Sequence, residues 1–224
     1  MKKSKSTKAF IIGALLLLAF LLWTLLVCII DVQAIGPRDS CVGFATLNGL
    51  FHNLTGANIS LYIITDWLGL VPIAVALGFA ILGLVQWIRR KSILRVDKSI
   101  LALGGFYIAV MAVYIIFEFV VINRRPVLIS GYLEASYPSS TTMLVACVMP
   151  TALMQLNARI KGRAMRSIIS AIIIAFIVFM VIGRLISGVH WISDIIGGIL
   201  ISAGLVILYY AICLRIEENN QYSS

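Results

Sequence analysis

Three short stretches carry the side chains that could do chemistry. "VIGRLISGVHWISD" holds Arg184, His190 and Asp194, "NRRPVLISGYLEAS" holds Arg124, Arg125 and Pro126, and "YPSSTT" sets Pro138 among five hydroxyl side chains. Guanidinium groups take phosphate oxygens in pairs. A helix that starts at "PSST" offers unpaired N–H groups and the positive end of its dipole to an anion. His190 and Asp194 are four apart, which on a helical turn places them on one face. An aspartate that accepts from one ring nitrogen fixes the tautomer and leaves the other nitrogen as a nucleophile. Arg125, Arg184, Ser139, Ser140, His190 and Asp194 therefore make a coherent set for phosphate, with His190 able to carry a phosphoryl group.

Simpler explanations hold for some neighbours. A lone arginine at a membrane boundary commonly snorkels its charge to the interface, which suits Arg124. His52 stands alone and reads as a bystander. Cys28, Cys147 and Cys213 lie in or beside apolar runs and Cys41 in a polar one, with no CxxC pair and no metal-ligand spacing, so they read as small packing residues. Neither a metal nor a cofactor is expected.

The elements that must position these residues span a membrane. The chain is 61% hydrophobic and 12% charged over 224 residues, where a soluble domain shows about 45–50% and about 25%. A net charge of +9 would suggest nucleic acid in a soluble protein, but the placement of the charges explains it without such a partner. Six apolar runs qualify as spans: Ala9–Ile30, Leu61–Trp87, Ser99–Ile122, Thr142–Leu156, Ile168–Ser187 and Ile192–Cys213. Each must be a helix, because lipid offers the backbone no hydrogen-bond partners. The first run exceeds the about 7–15 apolar residues of a signal peptide and reads as a retained span. The fold class is all-α, a six-helix transmembrane bundle forming one domain over residues 1–224.

Fourteen of the 18 basic residues fall on one side: Lys2, Lys3, Lys5 and Lys8, the loop from Arg89 to Lys98, the loop from Arg159 to Arg166, and Arg215. The positive-inside rule then places both termini in the cytoplasm and the candidate site outside. Arg125, Arg184, His190 and Asp194 gather at outer helix ends, where topology gives cations no reason to be and where ionisable groups mark function. The sequons "NLT" and "NIS" would be glycosylation acceptors in a secretory pathway.

In register and order, these stretches resemble the signatures of the type 2 phosphatidic acid phosphatase superfamily, over roughly residues 60 to 213. The third signature reads Ser-Arg, five residues, His, three residues, Asp; Arg184, His190 and Asp194 match and Gly183 replaces the serine. The first reads Lys, six residues, Arg-Pro; Arg125 and Pro126 match, with Glu118 in the lysine position. The second reads Pro-Ser-Gly-His; Pro138 and Ser139 match, Ser140 replaces the glycine and Thr141 the histidine. The resemblance implies a metal-independent lipid phosphatase of a bacterial plasma membrane, with membrane lipids as its surroundings and a lipid phosphate as its substrate. His190 would be the nucleophile and Asp194 its orienting partner, while Arg125, Arg184, Ser139 and the backbone at Ser140 hold the phosphoryl oxygens. Thr141 stands where the family's proton donor belongs and can offer only a hydrogen bond near neutral pH. Glu118, about two helical turns before Arg125, is expected to pair with Arg124 or Arg125, or to stay protonated and act as a donor.

Three functions fit these features: a lipid phosphate or diphosphate phosphatase at the outer face, a catalytically silent binder of lipid phosphate, and a small transporter. The last is weakened by how few ionisable groups lie mid-span beyond Asp66 and Glu118. A missing general acid matters least where the leaving group is already a stabilised anion, so an enzyme built this way would favour a polyprenyl diphosphate, such as undecaprenyl diphosphate, over a lipid monophosphate.

Overall fold

The computed structural model describes residues 4–222; Lys2 and Lys3 of the basic N-terminal group lie outside them. Six stretches of helix are long and apolar enough to cross a membrane. They are α1 (Lys5–Ile29), the pair α3 (Ile59–Leu68) and α4 (Leu70–Arg90), α5 (Lys98–Phe119), α6 (Ser140–Arg159), α7 (Arg163–Ile186) and α8 (Ile192–Tyr222). Between α1 and α3 the chain forms a short antiparallel hairpin, β1 (Gln33–Gly36) and β2 (Ser40–Val42), followed by helix α2 (Ala45–Thr55). No apolar run announces this hairpin, whose strands are too short for a clear alternation.

Every span shifts by a few residues from its sequence-based bounds, and two differ in kind. The second is broken at Gly69, because Pro72 supplies no N–H and its ring crowds the carbonyl of Leu68. The last runs on to Tyr222, past the apolar stretch that ends at Cys213. Its polar end is tied back to α1: the Ser6 hydroxyl donates to Glu218 at 2.6 Å and the Ser6 N–H donates at 3.2 Å. The two ends of the described chain therefore lie on one side of the bundle.

The centre of the bundle is α6 and α8, each with half of its most apolar window buried, against 11% for α3–α4. A helix inside the bundle can carry polar residues that lipid would reject, which is why α6 tolerates Ser140, Thr141, Thr142 and Thr151. Glycines set the close approaches, as small residues do between membrane helices. A Cβ built on Gly13 of α1 would lie 2.7 Å from Leu208, and one on Gly204 of α8 would lie 2.6 Å from Leu17.

One turn of α8 beds the "YPSSTT" stretch. A Cβ on Gly197 would lie 2.6 Å from Cε2 of Tyr137, and one on Gly198 would lie 3.2 Å from the Ser139 carbonyl oxygen. The Tyr137 ring is buried and its hydroxyl shares a 2.6 Å hydrogen bond with Thr24 of α1. The tyrosine cannot yield without breaking that contact. Gly197→Ala should therefore destabilise the protein by about 1–3 kcal/mol, read as a lower thermal midpoint in detergent; an unchanged midpoint would show that Tyr137 gives way freely.

Candidate active site

His190 lies in the turn between α7 and α8, just outside the two spans, and is 3% exposed. Because α8 begins at Ile192, His190 and Asp194 do not share a helical face. Asp194 sits in the first turn of α8 and accepts the Trp191 N–H at 3.0 Å. This is the returning half of a capping box, made without a hydroxyl residue ahead of it. The expected direct contact between Asp194 and His190 is replaced by a relay through Ser136. The Ser136 hydroxyl donates to Asp194 Oδ2 at 2.5 Å and lies 3.0 Å from Nδ1 of His190. With that proton committed to the carboxylate, Ser136 can only accept from the ring, which puts hydrogen on Nδ1 and leaves a lone pair on Nε2.

Asp194 is fully buried, and its other oxygen accepts from Asn123 Nδ2 at 3.0 Å and from Ser193 at 3.4 Å. Asn123 also binds the loop that carries Arg125, taking the Ser136 N–H on its backbone carbonyl at 2.9 Å. Ser193 in turn is held by the buried Asn48 of α2. Ser136, Asn123 and Asn48 escaped the sequence reading because a lone Ser or Asn in a loop has no spacing signature; only their burial distinguishes them.

Arg125 faces the other ring nitrogen, and Arg184 lies beyond it across Tyr62. Arg125 Nη1 lies 3.5 Å from His190 Nε2, and the guanidinium carbons of Arg125 and Arg184 sit 6.0 Å and 5.0 Å from the Tyr62 ring centre. Tyr62 thus stands between two cations and offers each a cation–π surface. Arg184, 1% exposed, reaches Asp66 at 3.6 Å and Thr65 at 3.4 Å. Arg125 pairs with Glu134, Nε to Oε2, at 3.0 Å; that contact lacks hydrogen-bond alignment, so the Arg125 Nε–H stays unsatisfied. Arg184 Nε and Ser139 Oγ are also buried without a hydrogen-bond partner. Buried donors are rarely left this way, and these three belong to residues at one end of the bundle, around one imidazole.

Ser139 is the N-cap residue of α6: its carbonyl accepts the Met143 N–H at 2.9 Å, its own N–H donates to the Asp194 carbonyl at 3.1 Å, and no side chain caps the helix. The first N–H groups of α6, from Ser140 on, are left for a ligand. Ser140 and Glu118 line the same cavity as Ser136 and His190. Glu118 is exposed and pairs with neither arginine among the described residues. Arg125 takes Glu134 instead, and Arg124 donates to the Leu133 carbonyl at 2.9 Å, bracing its own loop. Both ways expected of keeping Glu118 harmless, pairing and burial, are thus absent. The Thr141 methyl is directed at the α3–α4 break, where a Cβ on Gly69 would lie 3.5 Å from it. Gly183 has a steric reason as well: a Cβ there would lie 2.8 Å from Thr65 Cγ2. The hydroxyl missing at position 183 is matched by the Thr65 hydroxyl beside Arg184. His52 stacks edge-on against Trp191 at 5.5 Å.

Burial, then the positive charges of Arg125 and Arg184, hold the His190 imidazole well below its ordinary range, against a smaller opposing effect of the Ser136 carbonyl. Burial also lowers His52. Both histidines should therefore be neutral at pH 7. In a pH titration followed by NMR, with His52→Gln to assign the signals, both imidazoles should protonate below about 6.5, and His190 at the lower pH. A His190 midpoint above that value would contradict the buried, cation-flanked setting.

A family model described as the PAP2 superfamily matches residues 102–217. No curated protein matches the chain. Among solved structures, the chain is similar to a transmembrane PAP2-type phosphatidylglycerolphosphate phosphatase from Bacillus subtilis. The TM-score is 0.54 at 20% identity, over 92% of this chain and 96% of that one. At that identity the likeness speaks to the fold.

Proposed function

The chain belongs to the PAP2 superfamily, and on that premise we propose that it hydrolyses a membrane lipid phosphate or diphosphate, removing the terminal phosphate at the pocket around His190. One observation carries the reading: two buried guanidinium groups with unsatisfied Nε–H donors lie beside an imidazole whose Nε2 carries the lone pair and meets only a long 3.5 Å contact from Arg125. A phosphoryl group placed there satisfies the donors and meets the nucleophile.

The lone pair of His190 Nε2 attacks phosphorus, and the bond from phosphorus to the lipid-side oxygen breaks, its electrons leaving with that oxygen. Arg125, Arg184, Ser139 and the N–H groups at the start of α6 hold the remaining oxygens, where charge builds in the transition state. The imidazole gains positive charge and keeps its Nδ1 proton, which is directed at Ser136; Ser136 passes the stabilisation on to Asp194 through its own hydrogen bond. Water then attacks phosphorus, the nitrogen–phosphorus electrons return to His190, and phosphate leaves. The water's proton goes to the displaced group or to solvent.

Thr141 cannot protonate a leaving alkoxide, a loss that typically costs about 10²–10⁴ in rate. The lipid monophosphate that leaves when the terminal phosphate of a lipid diphosphate is taken needs no such proton, and this supports diphosphate lipids as substrates. Purified protein should release phosphate faster from undecaprenyl diphosphate than from phosphatidic acid or phosphatidylglycerolphosphate, and His190→Ala should release none. Thr141→His should raise the monophosphate rates. A wild type that prefers a monophosphate would overturn the leaving-group reasoning. Release from no lipid until Thr141→His is made would favour the second reading, a silent lipid-phosphate binder that the Thr141 replacement specifically suggests.

The distribution of basic residues supports an outer-face site in the plasma membrane. Cys41 of β2 is exposed. On intact cells a membrane-impermeant maleimide should label Cys41. It should label Leu94→Cys, made with Cys41→Ser, only after lysis. The reverse pattern would invert the topology.

A further inference from the structure

At the basic end of the bundle, α4 and α5 stand apart around a cavity of about 490 Å³. Its walls are apolar and include Phe79, Leu84, Trp87, Ile93, Val96 and Ile100. Gly104 and Gly105 border it, and a Cβ built on either would meet no atom within 4 Å. Small residues on a membrane helix ordinarily admit a neighbouring helix; here, among the described residues, no helix fills the space.

The loop that closes the groove at this end carries Arg89, Arg90, Lys91, Arg95 and Lys98, all exposed. Asp97 is the acid within it, and it is already taken by Arg90 at 2.9 Å and Arg159 at 3.5 Å. Arg89, Lys91, Arg95 and Lys98 have no acidic partner among the described residues. An apolar slot between membrane helices that ends in uncompensated cations suits a lipid with an anionic head.

We propose that the α4–α5 groove binds an anionic glycerophospholipid of the leaflet on the basic side, separate from any substrate bound at His190. Its acyl chains lie along Trp87 and the Gly104–Gly105 face, and its phosphate meets Arg89, Lys91, Arg95 and Lys98. A zwitterionic lipid would gain the chain contacts but little from the cations. A second copy of the chain, inserted in the same direction, would bring its own basic loop to the same depth and be repelled.

Trp87 lines the groove and reports on it. The full chain is placed in phosphatidylcholine vesicles containing either brominated phosphatidylglycerol or brominated phosphatidylcholine, and the quenching of Trp87 is taken as the difference from Trp87→Phe. Phosphatidylglycerol should quench Trp87 at several-fold lower mole fraction. Lys91→Gln with Arg95→Gln should bring that preference close to parity, with the apolar walls intact. Gly105→Leu, which fills the groove and leaves the cations in place, should abolish the selective quenching. Equal quenching by the two lipids, or a preference that survives loss of the charges, would overturn the proposal. So would a dimer, seen by crosslinking, that Gly105→Leu converts to monomer.

Discussion

The His190 end of the bundle is organised by one buried carboxylate. Asp194 gathers donors from the turn before α8, from Asn123 just after α5, and from Ser136 ahead of α6. A carboxylate with no exposed surface is tolerated only when its lone pairs are satisfied, so these segments have little freedom to move independently. Losing one partner would leave a buried charged group short of a donor, a penalty of about 1–3 kcal/mol or more. The same bonds that satisfy Asp194 also orient His190, since Ser136 belongs to both.

The cations impose the opposite demand. Arg125 and Arg184 are buried beside each other with incomplete acidic compensation: Glu134 is 43% exposed and Asp66 57% exposed. Tyr62 relieves part of the repulsion through its ring face. What remains is a positive pocket with unsatisfied donors, an arrangement that is unfavourable empty and favourable with an anion inside. Satisfied carboxylate on one side of the imidazole and unsatisfied guanidiniums on the other give its two nitrogens different work.

The departures from the family signatures also acquire physical meaning. Gly183 is required by the approach of α3, and Thr65 brings a hydroxyl to Arg184 from that same helix. Glu118 stands exposed on the wall of the cavity that His190 also lines, paired with neither arginine among the described residues. Thr141 faces the Gly69 break and has no hydrogen-bond partner among the described residues, so its role is shaped by α3 and α4 as much as by the pocket.

Hydropathy alone determined the six spans, because lipid demands long apolar helices and leaves the backbone no alternative. Charge count by side predicted which helix ends share a face, and the spacing of Arg184, His190 and Asp194 marked the chemistry. The relay through Ser136, the anchoring by Asn123 and Asn48, and the place of Tyr62 between the arginines came only with the tertiary structure. So did the break at Gly69 and the groove between α4 and α5. These features depend on residues far apart in the chain meeting at one buried point. A single polar residue in a loop carries no periodicity to show where it will be buried or what it will hold.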